Sequence, residues 1–127
     1  MDRSMAFLAI SIGAVLGANA RYLVGGWVAD RLGSAFPYGT LVINVSGSFL
    51  LGLTLAVFAE HDLGPLWLRT GLAVGLIGTY TTFSTFSSET MALITGGNLT
   101  AATLNIAASL AGSLAGVYLG TLAARLV

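Results

Sequence analysis

Long apolar stretches alternate with short polar punctuation along the chain, and their spacing predicts four helices of membrane-crossing length. No Asp, Glu, Lys or Arg occurs from Leu32 to Ala59, from Thr70 to Ser88, or from Thr90 to Ala124. About 20 consecutive apolar residues carry a helix across the bilayer hydrocarbon. Spans are expected at approximately residues 5–28, 38–59, 66–94 and 99–126, forming one integral membrane domain over 1–127. The connector from Ala29 to Pro37 carries charge, Gly and Pro, the usual marks of a loop. Glu60 to Pro65 ends the second span, with Asp62 placed to cap the third helix and Pro65 in its first turn. Thr95-Gly96-Gly97-Asn98 is a turn, with Asn98 or Thr100 as the next cap.

Met5 to Gly17 followed by Ala18-Asn19-Ala20 also has the outline of a signal segment with a cleavage site. Asp2 offsets Arg3, however, and the apolar pattern resumes at Tyr22 to Ala29, so a retained first span is expected. The third span differs from the others. Between Gly78 and Ser88 only Gly78, Phe83 and Phe86 lack a side-chain hydroxyl. Gly78 and the run of β-branched Thr favour a helix break in mid-membrane. Irregular backbone at that depth is tolerated only where protein buries it or a cavity borders it. Carbonyls freed at such a break can coordinate a cation.

Composition narrows the function classes. Charged residues make up 8% of the 127 residues, against 56% hydrophobic, and the formal net charge is zero. Nothing here would hold a nucleic-acid backbone, and the absence of Cys removes thiolate metal sites and thiol nucleophiles. His61 sits between Glu60 and Asp62 in a polar loop, without a second His to complete a metal site. The arginines are nearly balanced across four spans: Arg3, Arg69 and Arg125 on one side, Arg31 and Arg21 on the other. That is barely a positive-inside bias, which leaves insertion in both orientations open, and two copies in opposite orientations would give an antiparallel dual-topology homodimer.

Small residues recur four apart: Gly13 and Gly17, Gly71 and Gly75, then Gly112, Gly116 and Gly120. In membranes this spacing lets helix backbones approach closely. Polar residues recur likewise. Thr40, Asn44 and Ser48 share one face of span two, and Asn105, Ser109 and Ser113 share one face of span four. For a single Ser or Thr the hydroxyl can return to the preceding turn. The Asn44 amide at mid-span is harder to satisfy that way. Hydroxyl and amide donors, aromatic ring edges and no mid-span carboxylate suit a small hard anion, because ring edges carry the positive end of the quadrupole. Weak repeated sites are what conduction requires.

The motifs Gly17-Ala18-Asn19-Ala20-Arg21-Tyr22, Gly39-Thr40-Leu41-Val42-Ile43-Asn44 with Gly47 and Phe49, and Gly78-Thr79-Tyr80-Thr81-Thr82-Phe83-Ser84-Thr85-Phe86 resemble the Fluc (CrcB) fluoride channels. The resemblance covers the whole chain in length, span count and motif order. It implies an all-α membrane protein of four transmembrane helices, the third broken, assembled as an antiparallel homodimer with two pores in the inner (plasma) membrane. It further implies a structural Na+ at the dimer centre, held by backbone carbonyls of Gly78 and Thr81. Phe83 and Phe86 would flank fluoride, Asn44 would donate its amide, and Ser84 and Thr85 would extend the hydroxyl lining. Thr40 falls on the same pathway, Ser109 and Ser113 match the polar track of the fourth span, and Arg21 lies near a vestibule. Asn105 departs from the pattern, standing where some relatives have Tyr.

The implied role is passive export of fluoride from the cytoplasm. Hydrogen fluoride enters as a neutral acid and dissociates inside, and the membrane potential supplies about 2.3 kcal/mol per charge per 100 mV to drive the anion out. Enzymatic activity has no supporting constellation. Two other readings exist: a small dual-topology multidrug transporter and a structural membrane subunit. The first needs a membrane-embedded carboxylate that span one lacks. The second leaves the hydroxyl-rich third span unexplained.

Overall fold

The computed structural model describes residues 2–127, and all regular structure among them is helical. Helix α1 spans Arg3–Leu32 and α2 spans Tyr38–Glu60. Leu66–Thr70 forms α3, which passes into a π-helical segment, Gly71–Ile77, and then into the short α4, Gly78–Tyr80. Phe83–Thr95 forms α5 and Leu99–Ala123 forms α6, closed by a 3-10 turn at Ala124–Leu126. Among the described residues three helical stretches are long and apolar enough to cross a membrane: Arg3–Leu32, Tyr38–Glu60 and Leu99–Leu126.

The ends of these helices follow from local chemistry, with two departures from the sequence reading. Asp2 caps α1 by accepting from the Ser4 N–H at 2.9 Å. Asn98 caps α6 through the Ala101 N–H at 3.1 Å, which decides between Asn98 and Thr100. Asp62 does not cap α3: Pro65 is its cap residue, with no side-chain bond. Helix α1 also runs through Ala29–Leu32, which the loop composition assigned to the connector. Its 30 residues reach roughly 45 Å at 1.5 Å per residue, so a tail projects beyond about 30 Å of hydrocarbon. That tail carries Arg31, whose guanidinium lies 4.4 Å from the Trp27 ring centroid, a pairing suited to the headgroup boundary.

Two close packings organise the bundle. Helix α1 lies against the π segment, and α2 lies against α6. At Gly17 an added methyl would overlap the Leu76 carbonyl and the Thr79 hydroxyl. At Gly120 it would overlap the Phe49 carbonyl of α2. The four-residue glycine spacing therefore acts as the pattern indicated, bringing backbone onto backbone. The π register, in which the Gly78 N–H bonds to the Ala73 carbonyl five residues back, was not foreseen. The wider turn is steadied by Thr79, whose hydroxyl donates to the Gly75 carbonyl at 2.6 Å.

The chain leaves helical geometry after Tyr80. Thr81 (φ −80°, ψ 161°) and Thr82 (φ −153°, ψ 121°) are extended, whereas Gly78 itself is helical (φ −62°, ψ −34°). The outward faces remain strongly apolar: Phe7, Leu114 and Phe83 are each 73% exposed. An exposed apolar surface of this extent belongs to a protein that meets lipid or a partner.

Candidate functional site

The extended pair Thr81–Thr82 needs partners for backbone groups that no helix satisfies. Asn44 supplies them for Thr82. Its Nδ2 donates to the Thr82 carbonyl at 2.8 Å, and its Oδ1 accepts from the Thr82 N–H at 2.8 Å. The amide side chain thus imitates a neighbouring peptide strand. The Thr82 hydroxyl then caps α5, accepting from the Thr85 N–H at 3.2 Å and donating to the Thr85 hydroxyl at 2.9 Å. One residue closes the interruption and starts the next helix.

This arrangement opens a groove of about 340 Å³ between α2, α5 and α6. Asn44, Ser48, Thr81, Thr82, Phe83, Phe86, Ser109 and Ser113 lie along it, with Gly47, Leu51, Leu110, Leu114 and Val117. No charged side chain lines it among the described residues. The Phe83 and Phe86 ring centroids are 5.5 Å apart with planes tilted by 50°, so the rings are neither stacked nor coplanar. The hydroxyls of Ser48 and Ser113 have no hydrogen-bond partner among the described residues and remain able to donate. Asn44 keeps one amide hydrogen beyond the one given to Thr82.

A second hollow lies on the other side of Thr82 and is lined by Arg21, Thr40, Thr82 and Thr85, with Ala18, Tyr22, Gly25 and Ile43. Arg21 is half-buried there, its Nη1 3.5 Å from the Thr81 carbonyl. Thr40 donates to Glu89 Oε1 at 2.9 Å, which commits its hydrogen, while Glu89 Oε2 is buried without a partner.

Most of the residues singled out from sequence fall into two groups. Asn44, Phe83, Phe86, Ser109, Ser113 and Thr81 meet in the groove, and Arg21, Thr40 and Thr85 meet in the second hollow. Ser84 lines neither; it is exposed, its hydroxyl 3.5 Å from that of Thr82. Thr82, absent from the sequence-derived set, borders both cavities. Its position inside the hydroxyl run was the available signal, but a run does not say which member turns both ways. Ser48, one turn beyond Asn44 on the same polar stripe, lines the groove as well.

For a sodium ion the structure offers backbone oxygens. Among the described residues no three His, Asp or Glu side chains cluster to hold a metal. In a regular helix the Gly78 carbonyl would accept from the Thr82 N–H, but that N–H is bonded to Asn44. The Gly78 oxygen is consequently left for another partner, as a hard cation requires. The Thr81 oxygen fits in kind but already faces the Arg21 guanidinium.

Comparison with known proteins places this geometry in a family. The family model described as "CrcB-like protein, Camphor Resistance (CrcB)" matches residues 8–121. A protein of Acidobacterium capsulatum named "Fluoride-specific ion channel FluC" is 49% identical over 117 residues, 91% of this chain and 93% of the relative. Proteins bearing the same name in Geobacter metallireducens and Bordetella petrii are 45% and 47% identical, covering 95% and 94% of this chain and 98% and 91% of their own lengths. With the match running through the first glycine motif, the Asn44 face and the Thr81–Thr82 interruption alike, the chain belongs to the CrcB family of membrane proteins.

Proposed function

We propose that the protein is a fluoride-selective channel, not an enzyme, that lets fluoride leave the cytoplasm passively across the bacterial plasma membrane. The observation that carries this reading is the groove: free hydroxyls and a spare amide hydrogen face tilted Phe rings, with no charged side chain along it. Donors and positive ring edges compensate a small anion without binding it too tightly to leave. Arg21 in the adjoining hollow supplies positive potential at the approach. Thr82, shared by both cavities, lies where the ion passes from one to the other.

The groove of one chain, at about 340 Å³, is open and far wider than an ion stripped of its hydration shell needs. A second copy closing over the exposed Phe83 would narrow it. We read the assembly as an antiparallel homodimer with two pores, in which α3, the π segment, α4 and α5 together make a fourth crossing broken at Thr81–Thr82. The balanced arginines support this arrangement, and the exposed apolar faces accommodate both the partner and lipid. Gly78 and Thr81 would hold the Na+ at the centre through their carbonyls, and the ion would offset the crowded carbonyl dipoles there. Side-specific labelling of a Cys added at either terminus should find both termini on both membrane faces. A single orientation throughout would defeat the antiparallel pair.

Liposomes containing only this protein test the ion assignment. Fluoride efflux should exceed chloride efflux by at least about two orders of magnitude, the discrimination expected when a donor site rejects a misfit ion. Equal fluoride and chloride rates would overturn the reading. A proton-coupled exporter would need a carboxylate in the pathway, and Glu89 lies outside the groove.

A further inference from the structure

The surroundings of Asn105 give it a task. It is 1% exposed on α6, does not line the groove, and is held from two sides. Its Nδ2 donates to the Thr90 hydroxyl of α5 at 2.9 Å, and its Oδ1 accepts from the Ser109 hydroxyl at 3.4 Å. Thr90, itself 7% exposed, donates to the Phe86 carbonyl at 2.7 Å.

The direction of each hydrogen follows from this chain. The Thr90 hydrogen is engaged by the Phe86 carbonyl, so Thr90 can offer Asn105 only a lone pair. Asn105 must turn its NH₂ toward Thr90, which leaves Oδ1 toward Ser109. Ser109, one turn further along α6 and on the groove wall, then has its hydrogen on an acceptor at 3.4 Å, a long and weak bond. A weakly held hydroxyl hydrogen is released to a stronger acceptor with little loss.

Resting on the channel reading above, we propose that Asn105 is a positioning residue for the conducted anion. Through Thr90 its amide is locked with the carbonyl toward Ser109, so that the Ser109 hydroxyl is held in register and its hydrogen turns to fluoride as the ion arrives. The same chain ties Ser109 to the backbone of Phe86, so hydroxyl and ring edge are set as one unit.

The test is the dependence of efflux rate on internal fluoride in proteoliposomes, comparing Ser109→Ala, Asn105→Leu, Thr90→Val and the doubles Asn105→Leu/Ser109→Ala and Thr90→Val/Ser109→Ala. Each single change should raise the half-saturating fluoride concentration about fivefold. Each double should match Ser109→Ala alone, because the inner pair acts only through that hydroxyl. Effects that multiply in the doubles, or a wild-type fluoride dependence in Asn105→Leu and Thr90→Val, would overturn the proposal. If Asn105→Leu fails to assemble, Thr90→Val decides, since it leaves both Asn105 and Ser109 in place. Wild-type liposomes that pass no fluoride would instead defeat the channel reading, so the two failures are distinguishable.

Discussion

Replacing Asn44 with Leu should lower fluoride efflux about 100-fold. The Thr82 N–H and carbonyl would each lose a 2.8 Å bond, and the N–H has no helical partner to take its place. An unsatisfied buried polar group costs about 1–3 kcal/mol, and more where hydrocarbon keeps water away. At about 3 kcal/mol, and 1.36 kcal/mol per decade, the orphaned N–H gives the expected factor. The loss follows from displacement of Thr82, which borders both cavities and caps α5. Asn44→Asp is a useful companion, since it keeps an acceptor for the Thr82 N–H but sets a carboxylate against the Thr82 carbonyl and the anion path. Both variants should be nearly silent in a fluoride-electrode efflux assay normalised to incorporated protein. Efflux within about twofold of wild type in Asn44→Leu would mean that the peptide-like pair does not shape the pore.

The two phenylalanines should separate pore chemistry from folding. Phe86 is 8% exposed, while Phe83 is 73% exposed at the rim of the groove. Phe86→Ile removes packing as well as a ring edge, and a core truncation of that kind destabilises by about 1–3 kcal/mol. Phe83→Ile leaves little packing behind within one chain. An aromatic edge contact is worth about 0.5–1.5 kcal/mol, so each replacement should reduce fluoride efflux by up to roughly tenfold. The thermal midpoint should fall for Phe86→Ile and hold for Phe83→Ile. Undiminished efflux in both variants would remove the ring pair from the ion pathway.

These two predictions draw on different levels of information. The Phe pair and the polar stripes are legible because helical period places Asn44 with Ser48, and Ser109 with Ser113, whatever the rest of the chain does. The glycine spacing announced close helix packing, and Gly17 and Gly120 occupy such contacts. Helix ends were less legible. Asp62 had a capping side chain at a plausible place, but α3 starts at Leu66, after Pro65, without it. Ala29–Leu32 looked like loop because charge marks the end of a hydrophobic span, whereas the helix itself continues to Leu32.

The sequence by itself determined that this chain lives in a membrane. It also determined which residues could share a helix face and that any anion held there must be met by hydroxyls, an amide and ring edges. Those properties follow from composition and a local period, which need no knowledge of partners. Only the tertiary structure decided where the hydrogens go. It gave both polar ends of the Asn44 amide to the Thr82 peptide, engaged Thr40 with Glu89, left Ser48 and Ser113 free, and placed Asn105 behind the groove between Thr90 and Ser109. A side chain's capacity to donate is written in its chemistry, but the acceptor that takes the hydrogen can come from another helix, as Glu89 does for Thr40 from 49 residues away along the chain.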